Sequence, residues 1–277
     1  MSNWFVSTAW LAEHLKHPDV VVVDASWYLP AAGRDAHAEY LAGHIPGAVF
    51  FDIDAIADRT TNLPHMLPTP AEFAHMVGAL GINDQMTIIV YDEQGLFSAP
   101  RVRWTLLAMG ARDVRILAGG GARWRAEHRP IEAGPGHRPP AHFQASFNPR
   151  AVVDFATVDR RRRDFETTIV DARPAPRFHG IVPEPRPGLK SGHIPGSLNV
   201  ASSALTADGE MRPVQELRQI FADAGVDLEG PLITTCGSGI TASTLALALE
   251  IAGARNVAVY DGSWAEWGAY PDAPVET

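Results

Sequence analysis

The sequence predicts an α/β protein of two tandem domains, each a mostly parallel sheet flanked by helices. Three observations carry that prediction. Short apolar, β-branched runs alternate with helical stretches along the chain. The second half repeats the first. A Pro- and Gly-rich stretch without periodicity separates the two copies.

The strands of the first copy are VVVVD, TIIVY and VRIL, and those of the second are TIVDA, LITT and VAVY. Their near-continuous apolar character fits strands buried on both faces, as parallel sheets require. Stretches such as TPAEFAHMVGALG and PVQELRQIFADAG supply the helices between them. The repeat is explicit: VVVDAS (21–26) matches TIVDAR (168–173), GHIPGAVFFDI (43–53) matches GHIPGSLNVAS (192–202), and MGARDVRIL (109–117) matches AGARNVAVY (252–260). These copies imply two domains of about 125 residues. The expected division is residues 1–131, a linker at 132–150, and residues 151–277, the linker being the segment around EAGPGHRPPAHFQASFNP.

The chain has 277 residues, of which 46% are hydrophobic, and a net charge of −9. That acidity argues against a nucleic-acid binder, and the one dense basic run, Arg160–Arg163, is flanked by acids and reads as a solvated helix face. No stretch approaches membrane-spanning length and no signal-like start is present, so a cytoplasmic protein without membrane association is expected.

There is one cysteine, Cys236, in TTCGSGITAS. It leaves the strand PLITT and enters a glycine loop; a helix, ASTLALALEIAG, follows and stops at Gly253. The end of such a strand is where ligands sit in open α/β sheets. Amides and the positive dipole end gather at the helix start, which favours an anion and activates a thiolate. The repeat adds a control: Asp92 stands where Cys236 stands, so the fold does not require the thiol. One active half and one supporting half follow. His44 and His193, in the two GHIPG copies, are expected to tie turns, as are Asp24 and Asp171 at strand ends. No Cys/His cluster has zinc spacing, and no metal or other cofactor is expected.

The twin GHIPG motifs, the DAR strand end, the single-cysteine loop and GSWAEWG (262–268) resemble the tandem-domain rhodanese family over essentially the whole chain. CGSGIT and RFHGIVPEPRPG (177–188) resemble the branch that uses 3-mercaptopyruvate. The resemblance implies two rhodanese-like domains, the second catalytic. It implies that Cys236 takes sulfur from 3-mercaptopyruvate, becomes a persulfide, releases pyruvate and passes the sulfur to cyanide or a thiol, such as thioredoxin or a small thiol. Gly237, Gly239, Ile240 and Thr241 would line the loop around the sulfur. Arg177 and Arg186 would hold the substrate carboxylate, although a salt bridge to Glu184 is an equal reading of the residues alone. Ser238, with His65 and Asp54 from the first domain, would form a relay serving the enolate left by sulfur abstraction. Loop chemistry separates the relatives: Gly237 and Ser238 are uncharged where a thiosulfate enzyme is expected to carry basic groups, and Ala242 stands where a related phosphatase needs arginine. A thiosulfate sulfurtransferase and a non-enzymatic sulfur-relay or redox-binding module remain the alternatives.

Overall fold

The structure, a computed structural model, describes residues 4–164 and 166–277. The first unit comprises Met1–Asp58, Leu67–Asn148 and Asp208–Glu210; the second comprises Arg59–Met66, Pro149–Ala207 and Met211–Thr277.

In the first unit the order is β1 (Phe5–Val6), α1 (Thr8–His14), β2 (Val20–Asp24), α2 (Ala36–Ala42), β3 (Val49–Phe50), α3 (Pro70–Ala79), β4 (Thr87–Tyr91), α4 (Ala99–Ala108), β5 (Asp113–Leu117) and α5 (Gly120–Ala126). Its sheet runs β1-β5-β4-β2-β3 and every pairing is parallel. All five residues of VVVVD are buried, which explains why they are uniformly apolar up to the terminal aspartate. The start of α3 is fixed by a reciprocal cap. Thr69 Oγ1 accepts from the Glu72 N–H, Glu72 Oε2 accepts from the Thr69 N–H, and Pro70 presets the first turn.

The second unit repeats this plan: β6 (Val152–Val153), α6 (Phe155–Asp164), β7 (Thr168–Asp171), α7 (Ala175–Phe178), β8 (Leu198–Asn199), the short paired strands β9 (Thr206–Ala207) and β10 (Glu210–Met211), whose Glu210 groups with the first unit, α8 (Val214–Asp223), β11 (Leu232–Thr235), α9 (Ile240–Ala252), β12 (Val257–Tyr260) and α10 (Ser263–Trp267). The order β6-β12-β11-β7-β8, again all parallel, is that of the first sheet. Helix α9 begins at Ile240, two residues earlier than the sequence reading places it. Gly239 adopts the left-handed conformation (φ 82°) immediately before it, and Gly253 (φ 116°) ends it.

The duplication extends to the cores. Ile45 and Trp124 are sealed in one, and their equivalents Ile194 and Trp267 in the other. Burying each of these side chains stabilises its unit by roughly 2 kcal/mol. The indole of Trp124 donates to the Pro130 carbonyl and that of Trp267 to the Pro274 carbonyl, so neither polar tip is left without an acceptor. Each GHIPG histidine makes a two-way main-chain bridge, His44 with Glu132 and His193 with Glu276. The same glutamates accept from Gly47 and Gly196. The histidines tie turns, as the motif's recurrence implies.

Two features of the division differ from the sequence reading. The Pro/Gly-rich segment up to Asn148 belongs to the first unit rather than standing apart as a linker. Phe143 is buried there and meets Phe73 edge-on, while the Ala141 N–H donates to the Gly78 carbonyl. Arg59–Met66 precedes this segment in sequence yet groups with the second unit. Local composition cannot reveal either packing.

Three arginines of the basic run pair within α6, Arg162 and Arg163 with Asp159 and Arg161 with Asp164, while Arg160 donates to Thr157 Oγ1. Arg163 is solvent-exposed as expected, whereas Arg162 is largely covered, its guanidinium 5.8 Å from the Trp267 ring centroid. Among the described residues no helix is long and apolar enough to cross a membrane.

Candidate active site

Cys236 follows the last residue of β11, the central strand of the second sheet, and is buried. Its main chain is anchored on both sides. The Cys236 N–H donates to Ser263 Oγ (3.2 Å), whose hydroxyl donates to the Tyr260 carbonyl (2.8 Å). The Cys236 carbonyl accepts from the Trp264 N–H and the Gly237 carbonyl from the Ala265 N–H, each at 2.9 Å. Loop 237–239 is thereby fixed from α10, while Ile240 and Thr241 form the first turn of α9. Amides in a first helical turn have no partner within the helix, which makes this place suited to an anion.

The first unit shows what such a loop does with an anion. Asp92, at the position of Cys236, places Oδ2 within 2.7–2.9 Å of the Phe97, Ser98 and Ala99 amides at the start of α4. Burial raises the Asp92 pKa above the ordinary carboxylate value, against the lowering effect of these amides. The next residue, Glu93, pairs with Arg125. The loop of the first unit therefore holds its own carboxylate; in the second, the corresponding place carries a thiol followed by Gly237.

Two guanidinium groups converge on that glycine. A side chain begun at Gly237 would meet Arg177 Nη2 at 3.2 Å and Arg186 Nη1 at 3.9 Å. Glycine keeps the space between Cys236 and the arginines open. Arg177 also makes the ion pair that its sequence context allowed, Nε to Glu184 Oε1 at 3.2 Å and Nη2 to Oε2 at 2.5 Å. The nitrogen that approaches Gly237, Nη2, is thus the one paired with Glu184, and Nη1 lies outside that pair.

Ser238 is buried beside Cys236. His65 approaches it through Nδ1, 3.2 Å from the Ser238 main-chain carbonyl, which can only accept; the proton in this bond is on Nδ1. His65 itself has φ 63°, a conformation uncommon for a residue with a side chain and concentrated at functional sites. Although it precedes the second sheet in sequence, His65 belongs to the segment that groups with the second unit. Asp54 lies in the first unit, where its carboxylate accepts from the Trp27 indole at 2.9 Å.

Three residues of this region were not singled out as site residues by sequence reasoning: Ser263, Arg173 and Trp264. Arg173 is fully buried and spans Asp171, Glu184 and the Gly192 carbonyl. Burial opposes its charge, but the two carboxylates hold its pKa above the ordinary value. Its guanidinium lies 4.2 Å above the Trp264 ring. The advance signals were the DAR and GSWAEWG stretches that carry the family resemblance, and the repeat, which has Ser26 and Gly121 at the positions of Arg173 and Trp264. Among the described residues no group of three or more His, Cys, Asp or Glu side chains could hold a metal ion.

Comparison with known proteins places the whole chain in a family. The rhodanese-like domain matches twice, over residues 7–127 and 154–270. The 3-mercaptopyruvate sulfurtransferase of Escherichia coli (strain K12) is 48% identical over 276 residues, covering 99% of this chain and 98% of the relative. The Homo sapiens enzyme of that name is 41% identical, covering 95% and 91%. A crystal structure of Escherichia coli SseA, a 3-mercaptopyruvate sulfotransferase with the rhodanese fold, superimposes with a TM-score of 0.88 at 45% identity, covering 96% of this chain and all of that one. With a rhodanese-like domain in each half and relatives of this similarity along nearly its whole length, the chain belongs to the rhodanese family in its tandem-domain form.

Proposed function

We propose that the protein is a 3-mercaptopyruvate sulfurtransferase in which Cys236 is nucleophile and transient sulfur carrier. The observation that carries this reading is the convergence of Arg177 and Arg186 on Gly237, beside the only thiol in the chain. A 2-keto acid presents a carboxylate with an adjacent carbonyl, a geometry that guanidinium forks match.

The Cys236 thiolate attacks the sulfur of 3-mercaptopyruvate. A sulfur–sulfur bond forms, the bond from sulfur to C3 breaks, and its electron pair passes to the organic fragment as the pyruvate enolate. The enolate takes a proton at C3, which the new persulfide can supply, and leaves as pyruvate. The persulfide anion rests against the amides of Gly237, Ser238, Gly239, Ile240 and Thr241, as the Asp92 carboxylate rests in its own loop. Ser238 and His65 stabilise charge on the enolate oxygen. The role of Asp54 in that relay rests on the family resemblance alone. The second half-reaction passes sulfane sulfur to cyanide or a thiol, with thioredoxin or a small thiol as the expected acceptor. A cytoplasmic site of action belongs to the same proposal, since a thiol carrier works in a reducing compartment.

Steady-state kcat/KM for 3-mercaptopyruvate and thiosulfate, with mass spectrometry of the Cys236 peptide from the same sample, tests this reading. The expected result is one added sulfur, pyruvate release and preference for mercaptopyruvate. Preference for thiosulfate by about tenfold would reassign the donor. An unmodified thiol with no pyruvate would favour a binding module.

A further inference from the structure

The second unit contains an unbroken chain of buried charges beside the sulfur loop; at the matching positions the first unit keeps the aspartate, Asp24 for Asp171, but has Ser26 in place of Arg173. Asp171 and Arg173 meet through Oδ2 and Nη2 at 2.7 Å; Arg173 Nη1 reaches Glu184 Oε1 at 2.8 Å; Glu184 passes both its oxygens to Arg177. Asp171, Arg173 and Glu184 side chains are at most 2% exposed, whereas Arg177 is 20% exposed. The chain therefore begins in the core at the end of β7 and emerges at the guanidinium that faces Gly237.

Each link has a physical consequence. A carboxylate as buried as Glu184 cannot remain charged without cations, and Arg173 supplies one from the core side. Glu184 then grips Arg177 along the Nε–Nη2 edge, which fixes the plane of that guanidinium. Arg173 is itself held on four sides, by Asp171, Glu184, the Gly192 carbonyl and the Trp264 ring. Trp264 donates its main-chain N–H to the Cys236 carbonyl. One buried guanidinium thus registers the substrate-facing arginine and the sulfur loop against the same frame.

We infer that Glu184 and Arg173 are positioning residues for the transfer reaction, aiming Arg177 at the carboxylate of the sulfur donor in fixed register with Cys236. The inference rests on the assignment of Arg177 to the donor carboxylate. It concerns recognition and not the chemistry at sulfur, so removing the alignment acts on carboxylate-bearing reagents selectively.

Alkylation of Cys236 provides a readout independent of sulfur transfer. Iodoacetate carries a carboxylate and iodoacetamide does not, so the ratio of their inactivation rates measures carboxylate recognition at the loop. In Glu184→Gln, which keeps the shape and removes the charge, this ratio is expected to fall about tenfold while the iodoacetamide rate stays within about twofold. In the same variant KM for 3-mercaptopyruvate rises by a similar factor and kcat changes little. Arg173→Lys, which keeps the charge and loses the fork, shifts both quantities in the same direction. It also supplies the test if Glu184→Gln does not fold. In an Arg177→Met background Glu184→Gln should have no further effect on the ratio. An unchanged ratio in folded Glu184→Gln or Arg173→Lys protein overturns the inference, as does an equal loss of both alkylation rates. Absence of mercaptopyruvate turnover in the unsubstituted protein would instead overturn the function proposed above, leaving the alkylation result to stand by itself.

Discussion

Ser263 accepts a hydrogen bond from the main-chain N–H of Cys236 through its hydroxyl while holding a left-handed backbone, φ 49°. Its counterpart in the first unit is Gly120, at φ 59°. The Gly121 N–H donates to the Asp92 carbonyl, as the Trp264 N–H does to that of Cys236. The turn is therefore common to both halves, and glycine is the unstrained residue for it. Only the half with the thiol carries a side chain there, and that side chain is bonded to the cysteine backbone.

This predicts different stability outcomes for two small substitutions. Ser263→Ala keeps the strained backbone and loses the hydroxyl, so it destabilises the second unit by about 1 kcal/mol. Ser263→Gly loses the same bond but relieves a left-handed penalty of about 1 kcal/mol, leaving stability nearly unchanged. Both lower kcat for sulfur transfer. Thermal unfolding and steady-state kinetics of the pair check the separation of stability from rate.

Gly237→Ala places a methyl group 3.2 Å from Arg177 Nη2. The arginine tip needs to give by only a few tenths of an ångström and keeps its pairing with Glu184, so folding stability changes by less than about 0.5 kcal/mol. The cost falls on the arginine's aim: KM for 3-mercaptopyruvate is expected to rise about tenfold, with Cys236 still open to iodoacetamide. Donor-dependent kinetics with alkylation of the same preparation measure both.

Gly239 differs from Gly237 because its backbone is left-handed at φ 82°. Gly239→Ala should destabilise the second unit by about 1–2 kcal/mol and tilt the first-turn amides of α9. Denaturant unfolding and kcat should therefore fall together, in contrast with Gly237→Ala.

Asp92 gives a pH prediction with a definite sign. Its folded-state pKa is raised above the ordinary 3.8 by burial. Between the unfolded and folded values the native state binds more protons. Stability therefore falls as pH rises through that window, and the penalty is complete above the folded pKa. Asp92→Asn does not titrate, so its melting temperature relative to the unsubstituted protein should become more favourable as pH rises from about 4 to about 7. Calorimetric scans at the two pH values test it; a difference that shrinks as pH rises contradicts the assignment.

The central strands were legible in the sequence because burial on both faces leaves an uninterrupted apolar signature, as in VVVVD and LITT. The outer strands β1, β3, β6 and β8 have two residues each, too few to show any pattern. Cys236 was found because strand, glycine loop and helix are local in sequence. The chain from Asp171 to Arg177 was not, since residues two, eleven and seven apart meet only after the 173–186 loop folds back. Glu184 was noticed as a partner for Arg177, but nothing in its neighbours signals that it is buried. His65 was assigned to the first domain by position, whereas its grouping with the second unit depends on packing that sequence does not encode locally.

The carbonyl of the GHIPG motif's first glycine receives a guanidinium in both halves, but from different places: Arg173 serves Gly192, and Arg125 serves Gly43. The duplicated gene has kept the requirement and exchanged the residue that meets it. A graft of the catalytic half's chemistry onto the other half must therefore move a set of positions together. Ser26→Arg alone would crowd two cations onto one acceptor, and its partner change at Arg125 lies nearly a hundred residues downstream, where aligning the halves position by position would never pair them.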